Sequence, residues 1–192
     1  MSPQRSNRSN LLEGALRCLE RLPPERVTAR AIAAESEANI ASISYHFGSK
    51  DELVTEAVIA GLDRWLESIT ESLGELEELE PATRLERADA VIDATRRQHV
   101  GLARNFLAAL ARAQHEPRIR RLLSEGFRST RPRVAALLGL GQDLAGDDAA
   151  GLIHSMFTGL LFQALLDPSL AIEGRRMRRA QARLRTALPR SS

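Results

Sequence analysis

Cysteine, lysine, tyrosine and tryptophan each occur once in 192 residues, and aromatic side chains amount to only 4%. Each scarcity excludes something. A single thiol, Cys18, can neither close an intramolecular disulfide nor build a cysteine zinc site, so nothing implies an oxidising compartment. Its spacing from Ala15, Leu19 and Leu22 reads as core filling. Few aromatics beside abundant Ala, Leu, Arg and Glu argue for helices and against sheets. The longest apolar run, MFTGLLFQALL, is too short for a membrane span and is interrupted by Thr158 and Gln163. No apolar stretch follows the basic start MSPQRSNRSN, so a secretory leader is not expected and the reading is cytoplasmic, with no membrane partner. A glycine-rich phosphate loop, a paired-histidine metal motif and a nucleophile elbow are all missing from the sequence. Neither an enzyme, a cofactor nor a metal site is expected.

What is present is charge, unevenly spread. The net value is +2 for residues 1–50, −8 for 51–100, +3 for 101–150 and +5 for 151–192. An acidic middle repels a polyanion, so nucleic acid should meet the N-terminal segment. The basic stretch RRMRRAQARLRTALPR suits either an acidic partner or a solvated helical face.

Helical punctuation organises the chain. Ser9 or Asn10 can cap a helix from Leu11, with Leu12, Ala15, Leu16, Leu19 and Leu22 in helical spacing up to Pro23-Pro24. Thr28 can cap a short helix whose apolar face holds Ala29, Ile32 and Ala33. Asn39 can cap a third, IASISYHF, stopped by Gly48. Two short helices behind a longer one make a helix-turn-helix pattern. Ser49 with Glu52 forms a capping box for a long amphipathic helix reaching Leu73 or Leu76, and the acidic run ELEELEP links it onward. Further helices are expected at about 82–98, 99–114, 118–138, 147–166 and 174–187. The segment 147–166 is apolar around most of its circumference and must be covered on more than one side, as by another subunit.

The stretch SISYHFGSKDEL gathers the chain's only tyrosine, its only lysine and one of four histidines. A recognition helix needs polar or aromatic tips for base edges and phosphates on one face and a locked apolar face opposite. Helical spacing turns Ile40, Ile43 and Phe47 inward and leaves Asn39, Ser42, Tyr45 and His46 outside. Lys50, just past the glycine cap, can meet a phosphate together with the first backbone N–H groups of the long helix. Thr28 can do likewise, and Arg30 can reach the backbone or a guanine. Packing at the junction with the fourth helix is the other reading for Tyr45 and His46, and Thr28 can serve as a cap alone. Arg5 and Arg8 suit either an arm along DNA or an inert tail.

The segment TARAIAAESEANIASISYHFGSKDELV resembles the DNA-binding region of the TetR family of transcriptional regulators. The resemblance implies an all-α protein: an N-terminal three-helix helix-turn-helix domain, residues 1–50, joined by a long fourth helix to a helical effector-binding and dimerisation domain, residues 51–192. It implies DNA contacts at Thr28, Arg30, Ser42, Ser44, Tyr45, His46 and Lys50. Three positions depart from the family pattern: Glu37 replaces the usual turn glycine, Ala38 a valine, and Ser44 a tyrosine or asparagine. Either Glu37 adopts positive φ, at a cost of about 1 kcal/mol relative to glycine, or the turn is remodelled.

The family likeness further implies a homodimer on a palindromic duplex DNA operator, repressing until a small-molecule effector binds. The dimer bundle would use 118–138 and 147–166, with Leu152, Met156, Gly159, Leu160 and Gln163 at the interface and Ala150, Gly151 and Ser155 permitting close approach; an intrachain packing groove is the alternative, and a two-fold DNA site favours the dimer. Pocket candidates are Trp65, His99, Leu102, Phe106, Leu110, Phe127, His154, Phe157 and Phe162, with Asn105 and Gln163 as polar members, a lining suited to an apolar compound. Ordinary core packing is the alternative for most of them. A fully packed body without a cavity would instead point to a DNA-organising or partner-recruiting protein.

Overall fold

The computed structural model describes residues 7–73 and 79–187. Among these, all regular structure is helical: α1 (Asn7–Arg21), α2 (Ala29–Glu35), α3 (Ala41–Phe47), α4 (Lys50–Leu73), α5 (Pro81–Thr95), α6 (Val100–Ala113), α7 (Pro117–Leu138), α8 (Leu144–Leu166) and α9 (Gly174–Ala187). Short 3₁₀ turns stand at Pro24–Arg26, Arg96–His99 and Pro168–Leu170. The all-α expectation holds. Arg5 and most of the acidic linker after α4 lie outside the described residues.

Local caps explain the helix ends of the DNA-reading segment. The Thr28 hydroxyl accepts from the Ala31 N–H at 3.1 Å, and Asn39 Oδ1 accepts from the Ala41 N–H at 2.9 Å. Ser49 Oγ accepts from the Glu52 N–H at 3.1 Å and donates to Glu52 Oε1 at 3.2 Å, which starts α4. Gly48 ends α3 at φ 84°, a conformation that disfavours any side chain.

Two helices start earlier than their sequence signals. α1 begins at Asn7, so Ser9 and Asn10 are helical rather than caps. The extra turn is held by tertiary contacts of Arg8, whose guanidinium lies 2.5 Å from Glu56 and 4.7 Å from the centre of the Phe47 ring. Arg8 is therefore a helical residue tied to Glu56 and Phe47, though half of its side chain stays exposed. α8 begins at Leu144 because Asp143 Oδ1 accepts from the Gly146 N–H at 2.9 Å. At its full length α8 is, by size and composition, long enough to cross a membrane, unlike the eleven-residue run considered alone.

The chain forms two compact units, Met1–Glu67 with Arg97–Thr130, and Ser68–Arg96 with Arg131–Ser192. One boundary falls within α7 beside Pro132, which cannot donate to the helical ladder. In the first unit α1 packs on α2, α3 and α6. Leu11, Leu19, Ile32, Leu53, Val58 and Ile119 are fully enclosed there, and Cys18 fills core space with a free thiol.

In the second unit α5 packs against α9, and the contact is ionic at its rim. Arg178 Nη1 lies 3.3 Å from Glu86, and Gln181 Nε2 donates to Asp89 Oδ2 at 3.1 Å. Burial pushes the Asp89 carboxyl up to about 6, aided by Asp93 and Glu86 and opposed by the Gln181 hydrogen bond. A raised carboxyl favours the protonated native state, so its contribution is complete below its ordinary value and lost as pH rises through about 6. Asp89→Asn should therefore stabilise the protein above pH 6 by about 1–2 kcal/mol, after discount for its partial exposure. Melting curves at pH 4 and pH 8 check this: the gain should appear at pH 8 and vanish at pH 4.

Candidate nucleic-acid interface

The helix-turn-helix is clamped from behind. Arg17 Nε donates to Glu35 Oε1 at 2.7 Å and its Nη2 to the Glu35 carbonyl at 2.6 Å, while Arg21 pairs with the same carboxylate. The Arg17 hydrogen bond and the Arg21 charge hold the Glu35 carboxyl below its ordinary range. One acidic side chain at the end of α2 thus docks α2 onto α1.

The turn that aims α3 is a helix-ending loop with reciprocal backbone bonds. The Ala38 N–H donates to the Ala33 carbonyl at 3.0 Å, and the Glu37 N–H to the Ala34 carbonyl at 3.4 Å. This pattern puts one residue in the left-handed region, a position that favours glycine. Glu37 occupies it, at φ 52°, the only non-glycine residue with positive φ among those described. Glu37→Gly relieves the strain and removes an exposed negative charge, and should raise stability by about 1 kcal/mol. Thermal melting reads that gain; an unchanged or lowered midpoint would mean that the turn is not strained.

α3 divides into a locked and an open face. Ile43 and Phe47 are buried, as the spacing requires. Ile40 is not: it is 46% exposed, although its backbone is already helical at φ −56° and ψ −33°. Tyr45 is 85% exposed, and its ring meets the His46 imidazole edge-on at 4.8 Å between centres. Ser44 and Asn39 are exposed, and Ser42 and His46 half-buried. Asn39 uses its side-chain carbonyl as the cap, which leaves its amide N–H groups outward. Thr28 and Arg30 are exposed at the start of α2. The Thr28 oxygen is engaged as a cap, yet its O–H is still a donor.

Lys50 opens α4 next to this face, with its ammonium 2.5 Å from Asp51 Oδ1. Two arginines that no sequence signal pointed to reach the same turn. Arg112 of α6 lies 3.7 Å from Asp51 Oδ1, and Arg118 of α7 lies 2.8 Å from Glu52 Oε2. Arg118 also borders Gly48, so the acidic first turn of α4 is countered by cations from more than sixty residues away.

The pocket candidates fall in both units. In the first, Trp65 is buried and stacks tilted on His99 at 4.5 Å between ring centres, and Phe106 meets Phe127 at 5.9 Å. Leu102 is buried and Leu110 half-buried on α6. Asn105 is buried, and its amide donates to the Gly101 carbonyl of its own helix. Burial lowers the His99 imidazole below its ordinary value, with Glu20 opposing. In the second unit His154, Phe157 and Phe162 lie half-buried on α8, and burial, then Arg131, lowers the His154 imidazole.

Of the interface candidates on α8, Leu152 is 74% exposed, Gln163 exposed, and Met156 and Leu160 half-buried. A side chain added at Gly159 would meet nothing within 4 Å. Ala150 and Gly151 face inward instead, Gly151 against the guanidinium of Arg131. The small residues of α8 thus serve two different faces.

Residues 11–57 match the pattern of bacterial regulatory proteins of the tetR family, and residues 81–190 that of the C-terminal region of BetI-type transcriptional repressors. No curated protein is a significant match. Several solved structures share the fold. The multidrug binding protein EbrR, in complex with imidazole, is 20% identical over 98% of both chains, with a TM-score of 0.67. A transcriptional regulator from Rhodococcus sp. Rha1 is 22% identical over 86% of this chain and 87% of its own, with a TM-score of 0.60. A candidate regulator from Saccharomonospora viridis in complex with choline is 24% identical over 83% and 85%, with a TM-score of 0.54. With a helix-turn-helix whose outer face is polar and open, and with both parts of its sequence matched, the chain belongs to the TetR family of DNA-binding transcriptional regulators.

Proposed function

We propose that this regulator is a cytoplasmic homodimer that represses transcription from a palindromic operator and leaves it when a small-molecule effector binds. Residues 1–50 read DNA, and residues 51–192 dimerise and hold the effector. The observation that carries this reading is Tyr45: an aromatic ring 85% exposed on the recognition helix, edge-on to the neighbouring His46, is open to a partner. Tyr45, His46, Ser42, Ser44 and Asn39 meet the major groove, while Thr28, Arg30 and Lys50 meet phosphates at helix N-termini. Two such heads read half-sites about one helical turn apart.

The dimer uses α8, whose open apolar face includes Leu152, Met156, Gly159 and Leu160, with Gln163 beside it. The effector reading is supported by the relatives. EbrR is solved with imidazole and with proflavin, and the Saccharomonospora viridis protein with choline. Trp65, His99, Phe106 and Phe127, with Leu102 and Leu110, form an aromatic and apolar cluster whose chemistry suits small nitrogenous organic compounds of that kind once its mutually packed rings part.

Selection of bound duplexes from a random pool tests the reading. A palindromic consensus is the expected result, and its affinity should fall steeply with salt. Enrichment of a single asymmetric site, or of no site, would remove the dimeric operator from the account.

A further inference from the structure

Lys50 and Arg112 address the same oxygen. Lys50 Nζ stands 2.5 Å from Asp51 Oδ1, and Arg112 Nη1 3.7 Å from it. That oxygen is enclosed and accepts no well-directed hydrogen bond, and the enclosed Arg112 Nε donates none. Lys50 and Arg112 thus approach this oxygen as two competing cations. Two cations sharing one carboxylate oxygen each weaken the hold of the other, since the attraction of a single negative charge is divided between them.

Asp51 belongs to the first turn of α4, where the helix dipole favours a carboxylate. Its negative charge therefore stays beside the lysine that is to meet a phosphate. Left as the sole counterion, Lys50 would stay paired with Asp51. A second cation on Asp51 lets the ammonium turn to DNA without stranding the enclosed oxygen.

We propose that Arg112 is a positioning residue for DNA binding: it takes up the charge of Asp51 and so releases Lys50 to the phosphate backbone. The C-terminal end of α6 thereby sets the affinity of the DNA-reading head. Arg118 does the parallel service for Glu52, whose Oε2 lies 2.8 Å from its guanidinium. The inference rests on Lys50 as a phosphate contact. α6 also carries Leu102, Phe106 and Leu110, so a ligand that displaces this helix would act on Lys50 through Arg112.

The test is a double-mutant cycle on the full-length protein, with a labelled duplex carrying the selected consensus, titrated over a range of potassium chloride. Arg112→Gln should weaken binding about fivefold and make the salt slope shallower by up to about one, since one phosphate contact is lost. Asp51→Asn should tighten binding about threefold, and adding Arg112→Gln to it should change nothing further. Arg112→Lys, which keeps the charge, should bind within about twofold of the parent, with melting curves showing that every variant is folded.

An equal loss from Arg112→Gln in both backgrounds, or no loss in either, overturns the proposal. So does Arg112→Lys binding as weakly as Arg112→Gln. A separate arm tests the premise. If Lys50→Ala leaves affinity unchanged, the phosphate contact itself is wrong; if it weakens binding while the cycle shows no coupling, only the role of Arg112 falls.

Discussion

Gly101→Ala should destabilise the protein by about 3 kcal/mol, equivalent to a melting temperature about 10 °C lower. A methyl group at this position would stand 2.2 Å from the Leu19 carbonyl oxygen, 3.0 Å from the Glu20 carbonyl oxygen and 3.2 Å from Glu20 Cα. All three are backbone atoms of α1, so no side-chain rotation can relieve the clash. α6 must move off α1, and the neighbours of Gly101 on α6, Leu102 and Ala103, are buried. The intrinsic preference of a helix for alanine over glycine is worth only about 1 kcal/mol in the other direction. Overpacking wins by a clear margin. Calorimetry on the purified variant checks the sign, and a midpoint equal to or above the parent's would show that α1 and α6 do not approach this closely.

The second large effect concerns assembly. Leu152→Glu places a charge on the exposed apolar face of α8, where Leu152 is 74% open in the single chain. A surface substitution of this kind changes the stability of the chain by no more than about 0.5 kcal/mol. In a dimer seam the same carboxylate is buried without a partner on each side of the two-fold axis, at a cost of several kcal/mol. The variant should therefore run as a folded monomer in light scattering. It should bind the selected palindrome more than about 100-fold more weakly, because two linked half-sites become one. A variant that stays dimeric and keeps its affinity would move the seam away from Leu152.

These two sites differ in how they announce themselves. Leu152 belongs to an apolar pattern visible along the sequence, whereas nothing in GLARN marks Gly101 as the closest approach of two helices. The same division runs through the DNA-reading head. Thr28, Asn39 and the Ser49 and Glu52 pair are caps that act within three residues, so their identity is enough to place helix ends. Ile40 fails as an inward residue for the converse reason. Spacing from Ile43 and Phe47 puts Ile40 on the same side of the helix, but the neighbouring elements cover only the later turns and leave Ile40 46% exposed.

Glu37 shows a mixed case. The turn position could be recognised from the missing glycine, but only the backbone bonds of Ala38 and Glu37 establish that the turn keeps its left-handed residue instead of being remodelled. Arg8 went the other way. Position near the N-terminus suits an arm or an inert tail, yet Glu56 and the face of Phe47 draw it into α1.

The sequence by itself determined the all-α class, the order of the helices and the open polar face of α3, because capping and 3.6-residue periodicity are written in neighbouring residues. Only the tertiary structure decided which charges meet. Arg17 and Arg21 close on Glu35, Arg112 on Asp51, and Arg118 on Glu52. Such pairs join distant segments through space, and in a chain with 26 arginines no local pattern distinguishes the guanidinium that finds a carboxylate from the one that faces water.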